Sequence, residues 1–207
     1  MPFLILLVAG AYAGLTSKLG IKDPIQENTV LAAVIVLIIS ISFCSLGEQF
    51  FFRPDALSLW IYGRENPFVE SALMADKIKE YTKTDDKIFI GGSEPQLYYF
   101  SQRKSISKFN ITYPLAIKTP WTEDYQRQVI NAINQNQPAA IIMVLRPTTG
   151  LWYNNSPRDF LDYVLAELQN NYRLIGGAAL DDKNRPIWVK PSEIEKADTS
   201  LLLYLKK

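Results

Sequence analysis

The chain has no histidine and a single cysteine. Without histidine there is no Ser-His-Asp set, and the commonest metal ligand and the commonest general base are both missing. One cysteine excludes an intrachain disulfide. Cys44 also lies inside an apolar run, which suits neither a zinc thiolate nor a thiol nucleophile. Charge of one sign is equally scarce. The 22 basic and 21 acidic residues leave a net charge of +1 with no basic face, which argues against a nucleic-acid partner. Neither G-x-G-x-x-G nor a Walker pattern occurs, so Gly91-Gly92-Ser93 is only a loose likeness of a phosphate loop. The paired carboxylates Asp85-Asp86 and Asp181-Asp182 fall in turns, where Asp supports the backbone. No cofactor and no metal is therefore expected.

The chain does have long uncharged stretches. Thr29 to Leu46, TVLAAVIVLIISISFCSL, lies between Glu27 and Glu48. As a helix it covers roughly 27 Å, close to the ~30 Å hydrocarbon core of a bilayer. Ser40, Ser42 and Ser45 can bond back to helix carbonyls, so lipid tolerates them. A second apolar run, Pro2 to Leu15, precedes it. This run is short for a span, and Ala11-Tyr12-Ala13 resembles a signal-peptide cleavage site, but no Lys or Arg comes before it. The expected arrangement is a hairpin of two membrane helices over residues 1–47, with the signal peptide as the rival reading. Lys18 and Lys22 in the connecting loop place that loop in the cytoplasm and everything after residue 48 outside. A chain that starts inside an apolar helix suggests that Met1 is an internal methionine of a longer polytopic protein. Residues 48–65, with Phe50, Phe51, Phe52, Trp60 and Tyr62, read as an interfacial linker against the lipid bilayer.

From residue 66 the pattern becomes that of a globular domain running to 207. Asn66-Pro67 opens a helix with Phe68, Ala72, Ala75 and Ile78 at helical spacing. Lys87 to Ile90 is a buried strand ended by Gly91-Gly92, with a short helix to Ser101 and a second strand at Ser105 to Phe109. Thr122 to Asn136 is a helix stopped by Pro138, and Ala139 to Leu145 is an apolar strand covered on both faces. A third helix opens at Ser156-Pro157. Strands follow at Tyr172 to Ile175 and Pro186 to Val189, with a terminal strand or helix tail at Leu201 to Leu205. This alternation predicts an α/β fold, a small layered domain with a mainly parallel sheet and antiparallel pairing of the last two strands at one edge.

In such a sheet ligands bind beyond the carboxyl ends of the strands. Two loops qualify: Gly91 to Gln96, and Arg146 to Tyr153, where Arg146 and Trp152 can meet a phosphate or sugar by ion pairing and stacking. For any single residue of the second loop, the favoured reading is that it anchors the domain on its neighbours.

Asn66-Pro67-Phe68-Val69-Glu70, the helix end Tyr81-Thr82, the stretch Asp85 to Ser101 and Arg103 form one signature, continued by Tyr113-Pro114-Leu115 and Gln126-Arg127-Gln128. It resembles the extracytoplasmic C-terminal domain of GT-C membrane glycosyltransferases, relatives of protein mannosyltransferases and aminoarabinose transferases. The resemblance spans roughly residues 60–175 and the preceding membrane helix. It implies transfer of a sugar from a polyprenyl-phosphate carrier lipid to a glycan or lipid acceptor on the outer face of the membrane. In that class the catalytic carboxylate lies in the first extracytoplasmic loop, which has no counterpart here. No catalytic residue is carried over, and this part alone is not a competent transferase. Glu94, Gln96 and Arg103 are the candidates for polar contacts with substrate, beside Arg146 and Trp152. The alternative is a membrane-anchored, non-catalytic module that binds an envelope glycan or a partner protein.

Overall fold

A computed structural model describes residues 10, 12, 14, 17, 18, 20, 23–151 and 157–207. The chain divides into two compact units, Met1–Leu57 and Ser58–Lys207, so the division falls inside the aromatic linker.

The first unit is dominated by helix α1, Pro24–Phe51. Its window Asn28–Ser45 is long and apolar enough to cross a membrane, and none of that window is buried within the protein. Ile35, Val36, Leu37, Ile39 and Ile41 are all exposed, the reverse of what a core helix of a soluble protein shows. Two membrane helices were expected, but among the described residues α1 is the one helix that qualifies. The run from Pro2 to Leu15 lies mostly outside the described residues, and its 14 apolar positions fall short of the roughly 20 that a span requires. A membrane anchor and a signal sequence both fit a single apolar helix near the N-terminus. Helix α2, Pro54–Tyr62, follows.

The second unit is an α/β domain built on a six-stranded mixed sheet. Helix α3 (Phe68–Tyr81) leads to β1 (Lys87–Gly91), α4 (Gln96–Ser101) and β2 (Lys104–Ser105). Next come α5 (Tyr113–Ala116), α6 (Thr122–Asn136), β3 (Ala140–Val144), α7 (Asp159–Asn171) and β4 (Tyr172–Leu180). The chain closes with β5 (Pro186–Val189), a 3₁₀ turn at Pro191–Lys196 and β6 (Thr199–Lys206). The spatial order is β2-β1-β3-β6-β4-β5.

The expectation of a mainly parallel sheet is corrected. β1 pairs in parallel with β2 and β3, but β6 is antiparallel to both β3 and β4, and β5 is antiparallel to β4. The alternation of helices and strands does make β1, β2, β3 and β4 run one way, as crossover connections require. The C-terminal strand then inserts between β3 and β4 instead of adding at an edge. Its Leu201, Leu202 and Leu203 are buried, so this run supplies apolar cover for both faces. β4 also runs five residues beyond the expected Ile175. Gly176, at φ +157, sits where a Cβ would come within 2.6 Å of Trp188, and the register with β6 shifts at this point. Glycine here makes a bulge inside a strand, not a turn.

Strand alternation sends side chains to two cores. On one face Phe89, Ile141, Met143 and Leu202 meet Val129 and Ile133 of α6 and Phe160, Val164 and Leu168 of α7. On the other, Ile88, Ile90, Ile142, Val144 and Leu201 meet Met74 and Ile78 of α3 and Leu97 of α4. This three-layer packing fixes the end of the sheet at which β1 and β3 point their carboxyl termini.

Candidate functional site

That end gathers polar side chains from four places: the first turn of α3, the loop after β1, the loop after β3 and the start of β6. The gathering depends on close backbone approach. A Cβ on Gly91 would lie 2.6 Å from Met143 Sδ, and one on Gly92 would lie 2.1 Å from Val144 Cγ2. Glycine at both positions lets the β1 loop lie against β3, where the Ser93 amide donates to the Thr149 carbonyl at 2.7 Å.

Glu94 follows directly. It is 1% exposed. Its Oε2 accepts a hydrogen bond from Gln96 Nε2, which also donates to Ser71 Oγ at 3.1 Å. Ser71 in turn donates to the Pro67 carbonyl at 2.6 Å, tying the loop to the start of α3. Glu94 Oε1 and the Thr149 hydroxyl are buried with no hydrogen-bond partner of good geometry among the described residues. Burial pushes the Glu94 carboxyl above the ordinary range. The Thr149 and Gln96 side chains counter part of this, and the neighbouring Glu70 charge adds to it.

Glu70 is buried one turn before Met74 on α3. Ser200 Oγ donates to its Oε1. The same hydroxyl accepts from Arg146 Nε at 3.1 Å and Nη2 at 2.9 Å, which uses its whole bonding capacity. Arg146 Nη1 also bonds Asp198 Oδ1 at 2.7 Å. Arg64 approaches the other oxygen of Asp198 at 3.7 Å and donates to Asn184 Oδ1 at 2.9 Å through Nε. Burial raises the Glu70 carboxyl, whereas the hydrogen bond from Arg146 holds the Asp198 carboxyl below its ordinary value. The cluster thus holds two buried carboxyls shifted upward and one half-exposed carboxylate shifted downward. No group of three or more His, Cys, Asp or Glu side chains able to hold a metal exists among the described residues.

Of the residues singled out from sequence, Glu94 and Gln96 are brought into direct contact, and Arg146 stands in the same cluster through Ser200 and Glu70. Arg103 does not join them. It precedes β2 at the opposite end of β1, where it donates to Thr82 Oγ1 at 2.9 Å, the Thr82 carbonyl at 2.8 Å and the Ser101 carbonyl at 3.0 Å. It ties the end of α3 to the start of β2, a structural duty. Trp152 lies outside the described residues. Glu70, Ser71, Thr149, Asp198 and Ser200 were not singled out. For Glu70 a signal exists, since Glu70, Met74 and Ile78 repeat at i, i+4 and i+8, which puts an acid on the buried stripe. Asp85 and Asp181 sit in the expected turns, and Asp181 Oδ1 accepts from the amides of Lys183 and Arg185 at 2.9 and 2.8 Å.

Comparison with known proteins returns no family model, no curated protein and no solved structure that matches the chain.

Proposed function

We propose that this chain is the C-terminal portion of an integral membrane glycosyltransferase that moves a sugar from a polyprenyl-phosphate carrier to an acceptor on the outer face of the membrane. Helix α1 is one of its spans and the α/β domain caps the extracytoplasmic side. The observation that carries this reading is the joining of the two halves of the sequence signature. The stretches 66–70 and 85–101 are joined where Gln96 donates to Ser71, the residue after Glu70, and Glu70 and Glu94 come into one buried cluster at the carboxyl ends of β1 and β3. Ligands favour that position in open α/β sheets.

The chemistry narrows the role. A carboxyl pair with an oxygen that makes no well-formed hydrogen bond among the described residues disfavours a phosphate and can accept hydrogen bonds from sugar hydroxyls or an amine. Glu94 and Gln96 then position the carbohydrate, and Arg146 holds Glu70 in place through Ser200. The reacting carboxylate is supplied elsewhere in the longer protein.

A second reading, an anchored non-catalytic module, is favoured by one observation. At 1% exposure, Glu94 is closed to a ligand in this structure.

The deciding experiment follows labelled sugar from a polyprenyl-phosphate donor in native membranes, with the protein depleted and then restored as wild type or Glu94→Ala. The transferase reading expects transfer to vanish on depletion, return with wild type and fall with Glu94→Ala. It also expects a native species much longer than this chain. Transfer that ignores depletion, from a protein no longer than this chain, sinks the reading and leaves the binding module.

A further inference from the structure

We propose that the segment from Ile111 to Trp121 is a second membrane contact, a patch that lies in the lipid headgroup zone beside the candidate site. The proposal rests on α1 being a membrane span.

Three observations carry it. Ile111, Ile117 and Trp121 are 44%, 47% and 62% exposed within eleven residues, and the Tyr113 ring is exposed among them. Single exposed apolar residues are ordinary on a soluble surface, but a run of four including Trp and Tyr is the composition that favours the membrane interface.

The second observation is location. Thr112 donates its amide to Ser93 Oγ at 3.2 Å, and Tyr113 donates its hydroxyl to the Thr148 carbonyl at 3.0 Å. Thr148 donates in turn to the Glu65 carbonyl at 2.7 Å. The patch therefore belongs to the end of the sheet where Glu65 leads the chain into the α/β domain.

The third is reach. Between Phe51 and Glu65 stand four connecting residues and the nine-residue helix α2, a connection that spans at most about 30 Å. A connection of that length allows the patch to reach lipid. Trp60, Ile61 and Tyr62, also exposed, lie on the connection itself.

Charge does not select the occupant. Lys118 lies within the segment, but the exposed Glu123 and Asp124 follow it at the start of α6. The contact is therefore apolar and aromatic, and salt changes it little.

The test uses the full chain in equimolar phosphatidylcholine–phosphatidylglycerol vesicles that carry quencher-labelled lipids. An environment-sensitive fluorophore is placed on native Cys44 or, in a Cys44→Ser background, on Ile117→Cys. Lys83→Cys, in the turn before β1 at the other end of the sheet, is the aqueous control. The proposal expects the fluorophore at 117 to emit to the blue of that at 83 and to be quenched more by headgroup-labelled than by tail-labelled lipid, with 0.5 M salt leaving both unchanged. A fluorophore at 117 that behaves like that at 83 overturns the patch. So does a blue shift without lipid quenching, which means that protein covers it. The Cys44 fluorophore separates the two readings: quenching by tail-labelled lipid confirms the span whatever position 117 shows, and aqueous behaviour at Cys44 overturns the span and the patch together.

Discussion

The two ends of β1 both bury a charged side chain, and they treat it in opposite ways. At the amino end the Arg103 guanidinium is 8% exposed and meets two carbonyls and a hydroxyl, each at 3.0 Å or less. At the carboxyl end Glu94 is buried more deeply, keeps one oxygen with no well-formed hydrogen bond among the described residues and stands beside a second buried acid. A buried charge that meets an acceptor at every one of its nitrogens stabilises the fold. One whose bonds are incomplete costs stability, and such groups concentrate where a protein does chemistry or binds. Burial alone thus fails to separate scaffold from site, whereas the state of the hydrogen bonds does.

The largest effect should come from breaking the complete end. Arg103→Ala leaves the Thr82 and Ser101 carbonyls and the Thr82 hydroxyl without their donor, a loss of about 4 kcal/mol. Urea denaturation should show a lower midpoint with an unchanged slope. Arg103→Lys should recover only part of the loss, because an ammonium cannot reproduce the fork. On the transferase reading proposed above, sugar transfer below the melting range should persist in both variants. Loss of transfer in a folded Arg103→Ala protein would restore Arg103 to the site.

Next is Gly92→Ala. The added Cβ would sit 2.4 Å from Val144 Cβ, an atom fixed to a central strand, so the loop must shift. A cost of about 3 kcal/mol is expected, together with loss of transfer, because the same shift moves Glu94. Ser200→Ala should cost about 2 kcal/mol, since it leaves two Arg146 donors and Glu70 Oε1 facing each other without the bridging hydroxyl. A double-mutant cycle with Arg146→Ala should show strong coupling, whereas additive losses would mean that Ser200 is not the link.

What the sequence disclosed follows the same division between local and distant causes. Helix α6 has the expected bounds and stops short of Pro138, although Trp121 stands at its N-cap and Thr122, expected to cap it, is its first residue and donates to the Ile117 carbonyl instead; β5 also matches its expected bounds. Glu94 and Gln96 were singled out because a loop that follows a strand is a known place for ligands, and the structure adds that the two side chains touch. The apolar run of β6 was legible, but the sequence left it open between a strand and a helix tail and gave no hint of its central position, since pairing across more than fifty residues leaves no local trace. Ser200 and Asp198 were hidden for that reason: they reach the cluster only because β6 inserts beside β3. Arg103 misled because an arginine in a motif reads the same whether it holds substrate or backbone.

The smallest change at neutral pH, and the one of opposite sign, should be Glu94→Gln. Burial lifts the Glu94 carboxyl above its ordinary value of 4.5, so the folded state holds its proton more tightly than the unfolded chain does. The stability this group contributes is present below that ordinary value and is lost as pH rises through the raised one. Glutamine has the same shape and no charge at any pH. Its oxygen can accept from Gln96 and its amide can donate to the Thr149 hydroxyl, completing both unpartnered atoms. The variant should therefore match or exceed wild type at neutral pH, and its stability should fall less as pH rises from 4.5. Part of the slope should remain, because Glu70 is raised for the same reason. The loss at low pH should also remain, since Asp198 lies below its ordinary value and gives up its contribution as pH falls. Thermal unfolding of both proteins across this range is the measurement, and an unchanged slope in Glu94→Gln would mean that Glu94 is not the strained group. If sugar transfer falls in the same variant that gains stability, the carboxylate is retained for what it binds and not for what it holds together.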